Sequence, residues 1–332
     1  SHRALVGEQM IALLFLVCSN AFALEIVCTL PWLGDVAHRV APDAKVTTLA
    51  RGSDDPHFLS PTPALMARVS SADVYVENGM GLELWSEKLL DSAGNPKIRP
   101  GQSGYVKATT GMNRLEIPTD LSKAKGDLHP EGNPHVWLDP LNTPVAADNI
   151  AIALARVDPA NAATYTANAK AFRAKIQEAT FGADLVAFMG GDLLTRLAQS
   201  DKLNEFLASK NLTGRLGGWL QKGASLKGKP MVFYHKSWPY FIKRFGIRDV
   251  GYVEDRPGIA PTAAHRDELL GLMKVNAVKV VEVTTYYDDR IPKLLAEATG
   301  GRVAKVAGDV GGKPEATDYF ALIDSIVLAF SK

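Results

Sequence analysis

Short runs rich in Val, Ile and Thr alternate with stretches of helical spacing along most of the 332 residues, and that alternation leaves few folds open. Strands separated by helices of ten to fifteen residues pair in parallel, because the intervening helix must cross over the sheet. In the first half the strand candidates are Glu25–Leu30, Lys45–Leu49, Asp73–Glu77 and Tyr105–Thr109, with helices at Pro63–Ser71 and Leu82–Leu90. In the second half they are Met231–Tyr234, Asp249–Val253, Val278–Thr284 and Arg302–Ala307, separated by helices near Trp238–Phe245, Ala263–Val275 and Pro292–Thr299. The expected fold is α/β, with two parallel-sheet lobes.

A longer helical pattern lies between them. Asp158-Pro159 reads as an acidic N-cap followed by proline at a position where its missing N–H costs nothing. Tyr165, Ala169, Phe172 and Ile176 then form one apolar stripe. A helix from Pro159 to about Thr180 would be roughly 30 Å long, stiff enough to permit small tilts of the lobes and to resist wide opening. The predicted division is an N-terminal lobe over 24–157, a connecting helix over 158–181, and a C-terminal lobe over 182–332. Within the last, residues 182–227 read as a helical insertion of one or two amphipathic helices, broken by Gly217-Gly218 and Gly223.

Met10–Val17 followed by Ala21-Phe22-Ala23 reads as a secretory signal with cleavage after Ala23, too short to span a bilayer. Residues 1–23 are therefore set apart from the folded protein. Removal of Cys18 with that segment leaves Cys28, a small core residue in an apolar strand, without a disulfide partner. An exported chain without disulfides suits a bacterial periplasm. The net charge of +1, with no long run of either sign, argues against a nucleic-acid groove.

Local setting sorts the seven histidines. His57 lies in a proline-punctuated loop after the second strand. His135 lies in Asn133-Pro134-His135-Val136-Trp137-Leu138-Asp139-Pro140, where flanking prolines hold the backbone extended. His235 directly follows a buried-looking strand, at the carboxyl end where open α/β sheets bind ligands. His38 reads as a surface residue, His265 as a local cap, and His129 as part of a polar stretch. Spacing alone does not join His57, His135 and His235, and a histidine that merely caps a helix fits the 133–140 loop equally well.

Several of these segments resemble the metal-binding solute-binding proteins of bacterial ABC importers, the zinc and manganese cluster. Asp55-Pro56-His57 with Pro61-Thr62-Pro63 resembles the family's first-ligand loop, and the 133–140 segment is similar to its second. Tyr234-His235 with Trp238-Pro239-Tyr240-Phe241 resembles the third, and Asn78-Gly79-Met80-Gly81-Leu82-Glu83 the stretch after the third strand. Ala307-Gly308-Asp309 corresponds to the position of a carboxylate ligand. The resemblance implies His57, His135, His235 and Asp309 as metal ligands, one pair from each lobe, with Glu282 the alternative carboxylate. Three imidazoles and a carboxylate suit Zn²⁺, whereas manganese relatives usually carry a carboxylate in the third position. Zinc-binding members often have a long His- and Asp-rich loop between the first two ligands; here Thr110–Glu131 holds only His129.

The implied function is a periplasmic, high-affinity zinc receptor that is not an enzyme. It would act as a monomer delivering Zn²⁺ to an inner-membrane ABC permease, with a periplasmic metallochaperone as a further partner. The alternatives are a manganese receptor of the same family, a surface adhesin, and a zinc hydrolase using Asp55, Asp139 or Glu282 as general base, though no hydrolytic motif is present.

Overall fold

The computed structural model describes residues 23–119, 129–254, 256 and 258–332. The apolar segment read as a secretory signal, up to Phe22, and Cys18 within it lie outside them. Two four-stranded sheets organise the chain. The first comprises β1 (Glu25–Cys28), β2 (Lys45–Thr48), β3 (Val74–Glu77) and β4 (Tyr105–Lys107) in the order β2-β1-β3-β4. The second comprises β5 (Pro230–Phe233), β6 (Arg248–Tyr252), β7 (Val280–Thr284) and β8 (Arg302–Val306) in the order β6-β5-β7-β8. All pairings are parallel.

Successive side chains of a strand face opposite sides, and both faces are covered, as parallel sheets require. Ile26 and Cys28 face inward onto α1 (Pro31–Val40) and α4 (Thr143–Val157), while Val27 faces out onto α2 (Pro63–Ser70) and α3 (Leu84–Ala93). Met231 and Phe233 face inward onto α10 (Pro239–Phe245) and α13 (Tyr319–Ser331); Val232 faces out onto α11 (Ala263–Val275) and α12 (Arg290–Ala298). The inner layers of both sheets merge into one continuous core. Cys28 is buried and free within it, as expected of a small apolar residue.

The chain passes from the first sheet to the second through α4 and α5 (Ala162–Phe181). The expected stripe of Tyr165, Ala169, Phe172 and Ile176 is buried. Phe172 meets Phe320 of α13 edge-on at 6.1 Å, with Arg39 of α1 over both rings, so α5 touches helices from either side. Its start differs from expectation. Pro159–Asn161 forms a single 3₁₀ turn before α5 begins, and Asp158 accepts from the Asn161 side chain and the Tyr165 hydroxyl.

Residues 182–227 fold into four short helices rather than one or two: α6 (Ala183–Met189), α7 (Gly191–Gln199), α8 (Leu203–Ser209) and α9 (Gly218–Lys222). The break after α5 falls at Gly182, where φ is 86° and a Cβ would come within 2.7 Å of the Gly217 backbone. Only glycine fits that crossing without strain.

Candidate metal centre

Two of the three candidate histidines are built by the same local device. In Asp55-Pro56-His57 the Asp55 Oδ1 accepts from the His57 backbone N–H at 3.0 Å and lies 2.7 Å from its Nδ1. In Asn133-Pro134-His135 the Asn133 Oδ1 accepts from the His135 backbone N–H at 3.1 Å and lies 2.9 Å from its Nδ1. An Asx side chain readily bonds the backbone two residues on, and the intervening proline keeps the turn from becoming helix. The ring is thereby fixed with Nδ1–H donating and Nε2 facing away. His235 reaches the same state by a tertiary contact, its Nδ1 2.6 Å from Glu254 Oε2 just beyond β6.

These three rings converge. Centroids of His57 and His135 are 5.2 Å apart, His57 and His235 5.5 Å, and His135 and His235 6.1 Å. One donor atom from each lies within 4.8 Å of the others. The Nε2 atoms of His57 and His135 are buried and have no hydrogen-bond partner, which costs free energy unless something binds there. Burial, reinforced by the charges of the other histidines, holds His135 well below the usual imidazole range, so it stays neutral and competent as a ligand. Outer acceptors on Nδ1 are the usual support of metal-binding imidazoles.

Asp309 is buried but lies outside that group of donors. Its Oδ1 accepts from Val310 N–H at 2.6 Å, and the carboxylate also bonds the backbone N–H of Trp32 in the first turn of α1. Burial raises its carboxyl well above the ordinary value. It shares a small void with Pro56 and Trp137, next to the histidines. Glu282 is also outside the group; burial raises it to about 7, and it accepts from Tyr234 N–H at 3.1 Å and the Thr284 hydroxyl at 2.7 Å. Each candidate general base is likewise engaged: Asp55 on His57, Asp139 in a two-pronged pair with Arg244, Glu282 on backbone.

His38 is exposed on α1, and His265 bonds the Tyr252 carbonyl, both away from the cluster. His129 is closer than its polar surroundings suggested: its ring stacks on His57 at 5.3 Å and lies 6.4 Å from His135, with Nδ1 3.0 Å from the Gly81 carbonyl. Two acceptors, Glu254 and Gly81, escaped sequence reasoning because neither is near its histidine in sequence. The Asx two residues ahead of His57 and His135 was the available signal for the other pair.

Comparison with known proteins gives the family. A family model described as zinc-uptake complex component A, periplasmic, matches residues 26–181 and 209–332, leaving out α6, α7 and all of α8 but its last residue. The iron-binding protein YfeA of Yersinia pestis is 27% identical over 316 residues, covering 93% of this chain and 85% of its own. The high-affinity zinc uptake system protein ZnuA of Bacillus subtilis is 24% identical, covering 86% and 78% respectively. A crystal structure of a ZnuA deletion mutant with zinc bound shares the fold with a TM-score of 0.68 at 22% identity, covering 93% of this chain and 97% of that one. The chain belongs to the ZnuA family of metal-binding periplasmic proteins.

Proposed function

We propose that this protein is a zinc receptor of an ABC importer, holding Zn²⁺ as cargo between His57, His135 and His235 and passing it to a membrane permease. The observation that carries this reading is the pair of buried, unpartnered Nε2 atoms on His57 and His135, each opposite an Nδ1 already satisfied. Three neutral imidazole nitrogens suit Zn²⁺ better than Mn²⁺, which favours oxygen donors. Asp309 is the proposed fourth ligand. A buried carboxylate without a cation is costly, and a nearby Zn²⁺ would offset that cost. Four protein ligands close the coordination sphere and leave no site for a catalytic water, which suits capture and not hydrolysis. Export to the periplasm, cleavage after Ala23, action as a monomer and loading by a metallochaperone belong to the same proposal. Among the described residues no helix is long and apolar enough to cross a membrane.

Thermal melts with and without zinc test the reading. Zinc at a thousandfold excess over its dissociation constant should stabilise the fold by about 4 kcal/mol. An unchanged midpoint would overturn it.

A further inference from the structure

His135 belongs to the first half of the chain, yet its loop is held mainly from the second. The Tyr240 hydroxyl on α10 donates to the Asn133 carbonyl at 2.8 Å and accepts from Leu115 N–H at 3.1 Å. Asn133 Nδ2, whose own Oδ1 backs the His135 ring, donates at 2.6 Å to the carbonyl of Lys236, the residue after His235. Arg244, one turn along α10, grips Asp139 through Nε at 2.9 Å and Nη2 at 2.7 Å, with both side chains 10% exposed or less. Trp137 Nε1 donates to the Gly308 carbonyl at 2.9 Å, and the Tyr319 hydroxyl of α13 donates to the Trp137 carbonyl. Against these stand fewer bonds from the first half, Asn78 Nδ2 to the Pro134 carbonyl at 3.1 Å, Asn133 Nδ2 to Glu116 Oε2 at 3.1 Å and Asn133 N–H to the Leu115 carbonyl at 2.8 Å, and the stacking of Trp32 on Trp137.

The His57 loop is anchored the other way. Trp85 of α3 donates to the Pro56 carbonyl at 3.0 Å, and Arg51 pairs with Asp54. It meets the second half at the His235 ring, 5.5 Å from that of His57, and at the bare backbone of Gly52, where a Cβ would fall 2.0 Å from the Val310 carbonyl oxygen.

We infer that the three histidines divide one against two: Tyr240 and Arg244 are positioning residues that carry His135 together with His235, and His57 alone moves with the first sheet. This rests on the zinc-receptor reading and sharpens it. Separation of the lobes withdraws His57 from an intact histidine pair, so the cargo is loosened by loss of one ligand instead of by splitting the site in half. Arg244 Nη1 donates to the Ala198 carbonyl of α7 at 2.9 Å, which gives the 182–227 insertion a part: it braces the arginine that holds the second ligand loop.

The test is a set of zinc competition titrations with Tyr240→Phe, which keeps the ring and removes only the hydroxyl. Losing or displacing the outer partner of a metal ligand costs about tenfold or more in metal affinity, and the Tyr240 hydroxyl holds Asn133, the outer partner of His135. Tyr240→Phe should therefore weaken zinc about tenfold in the wild-type background and by a similar factor in His57→Ala, where the carried pair still binds. In His135→Ala it should change affinity less than about twofold, because the ligand it positions is gone. Arg244→Lys, which keeps the charge beside Asp139, should give the same pattern. Equal weakening in all three backgrounds, or none in the wild type, overturns the division. Absence of zinc binding by the wild-type chain overturns the receptor reading itself.

Discussion

The two lobes are built on one plan and use it differently. Both sheets have the strand order second-first-third-fourth, all parallel. The loop after the second strand carries His57 in the first lobe and Glu254 in the second. The loop after the fourth strand leads to His135 in the first lobe and Asp309 in the second. In the one slot an imidazole of the histidine cluster in one lobe is matched by the acid that backs His235 in the other. In the second slot an imidazole is matched by a buried carboxylate that bonds the first turn of α1. A repeated sheet therefore supplies repeated places for side chains, and the chemistry at each place is chosen separately.

The first slot gives the largest expected effect. His57→Ala removes a nitrogen donor and should weaken zinc by more than the roughly 100-fold that an outer partner can cost. Glu254→Gln keeps a hydrogen-bond acceptor toward His235 and should cost about 10- to 100-fold. Competition titrations of the two variants compare the slots directly. If Glu254→Gln is as damaging as His57→Ala, Glu254 is itself a ligand and the contrast between slots fails.

Much of this contrast was readable in the residues. All eight strands fall within two residues of their expected ends, because parallel strands buried on both faces read as unbroken apolar runs between turn residues. The helix at Tyr319–Ser331 was not singled out, since YFALIDSIVLAFS is apolar nearly all round and periodicity cannot separate buried helix from strand there. Thr143–Val157 escaped for a related reason, its buried face being largely alanine. In the site, loops and strand ends singled out the three histidines, and only the family resemblance joined them into one set. Glu254, Tyr240 and Arg244 were not, because their partners lie 19, 107 and 105 residues away, and only the folded chain brings them together.

The second slot gives a smaller effect with opposite signs in two measurements. Asp309→Asn keeps an oxygen for the Val310 and Trp32 N–H groups and removes a buried charge, so the metal-free protein should melt at an equal or higher temperature. Zinc affinity should fall by about tenfold. An unaltered zinc titration would leave Asp309 as an anchor for α1 and remove it from the ligand set.

The smallest effect compares the buried acids that tie strand ends in each lobe. Glu83 accepts from Asn78 N–H at 2.7 Å, Gly79 N–H at 3.1 Å and the Thr29 hydroxyl at 2.6 Å, and burial pushes it up to about 8. Glu282 plays the matching part in the second lobe, at about 7. An acid whose folded pKa is raised binds its proton more tightly when folded, so its stabilising contribution is complete below the unfolded value and is lost as pH climbs through the folded one. Metal-free stability should therefore decline from about pH 5, with the Glu282 contribution gone past about 7 and that of Glu83 past about 8, each at no more than about 1.4 kcal/mol per pH unit. Zinc binding runs the other way, because its ligands must be neutral imidazoles and gain affinity as pH rises. Denaturant titrations of the metal-free protein across pH 5–9 check the slope. Glu282→Gln should flatten the slope below about pH 7 and Glu83→Gln should flatten it all the way up to about pH 8, and a slope untouched by either would show that the two acids do not titrate in this range.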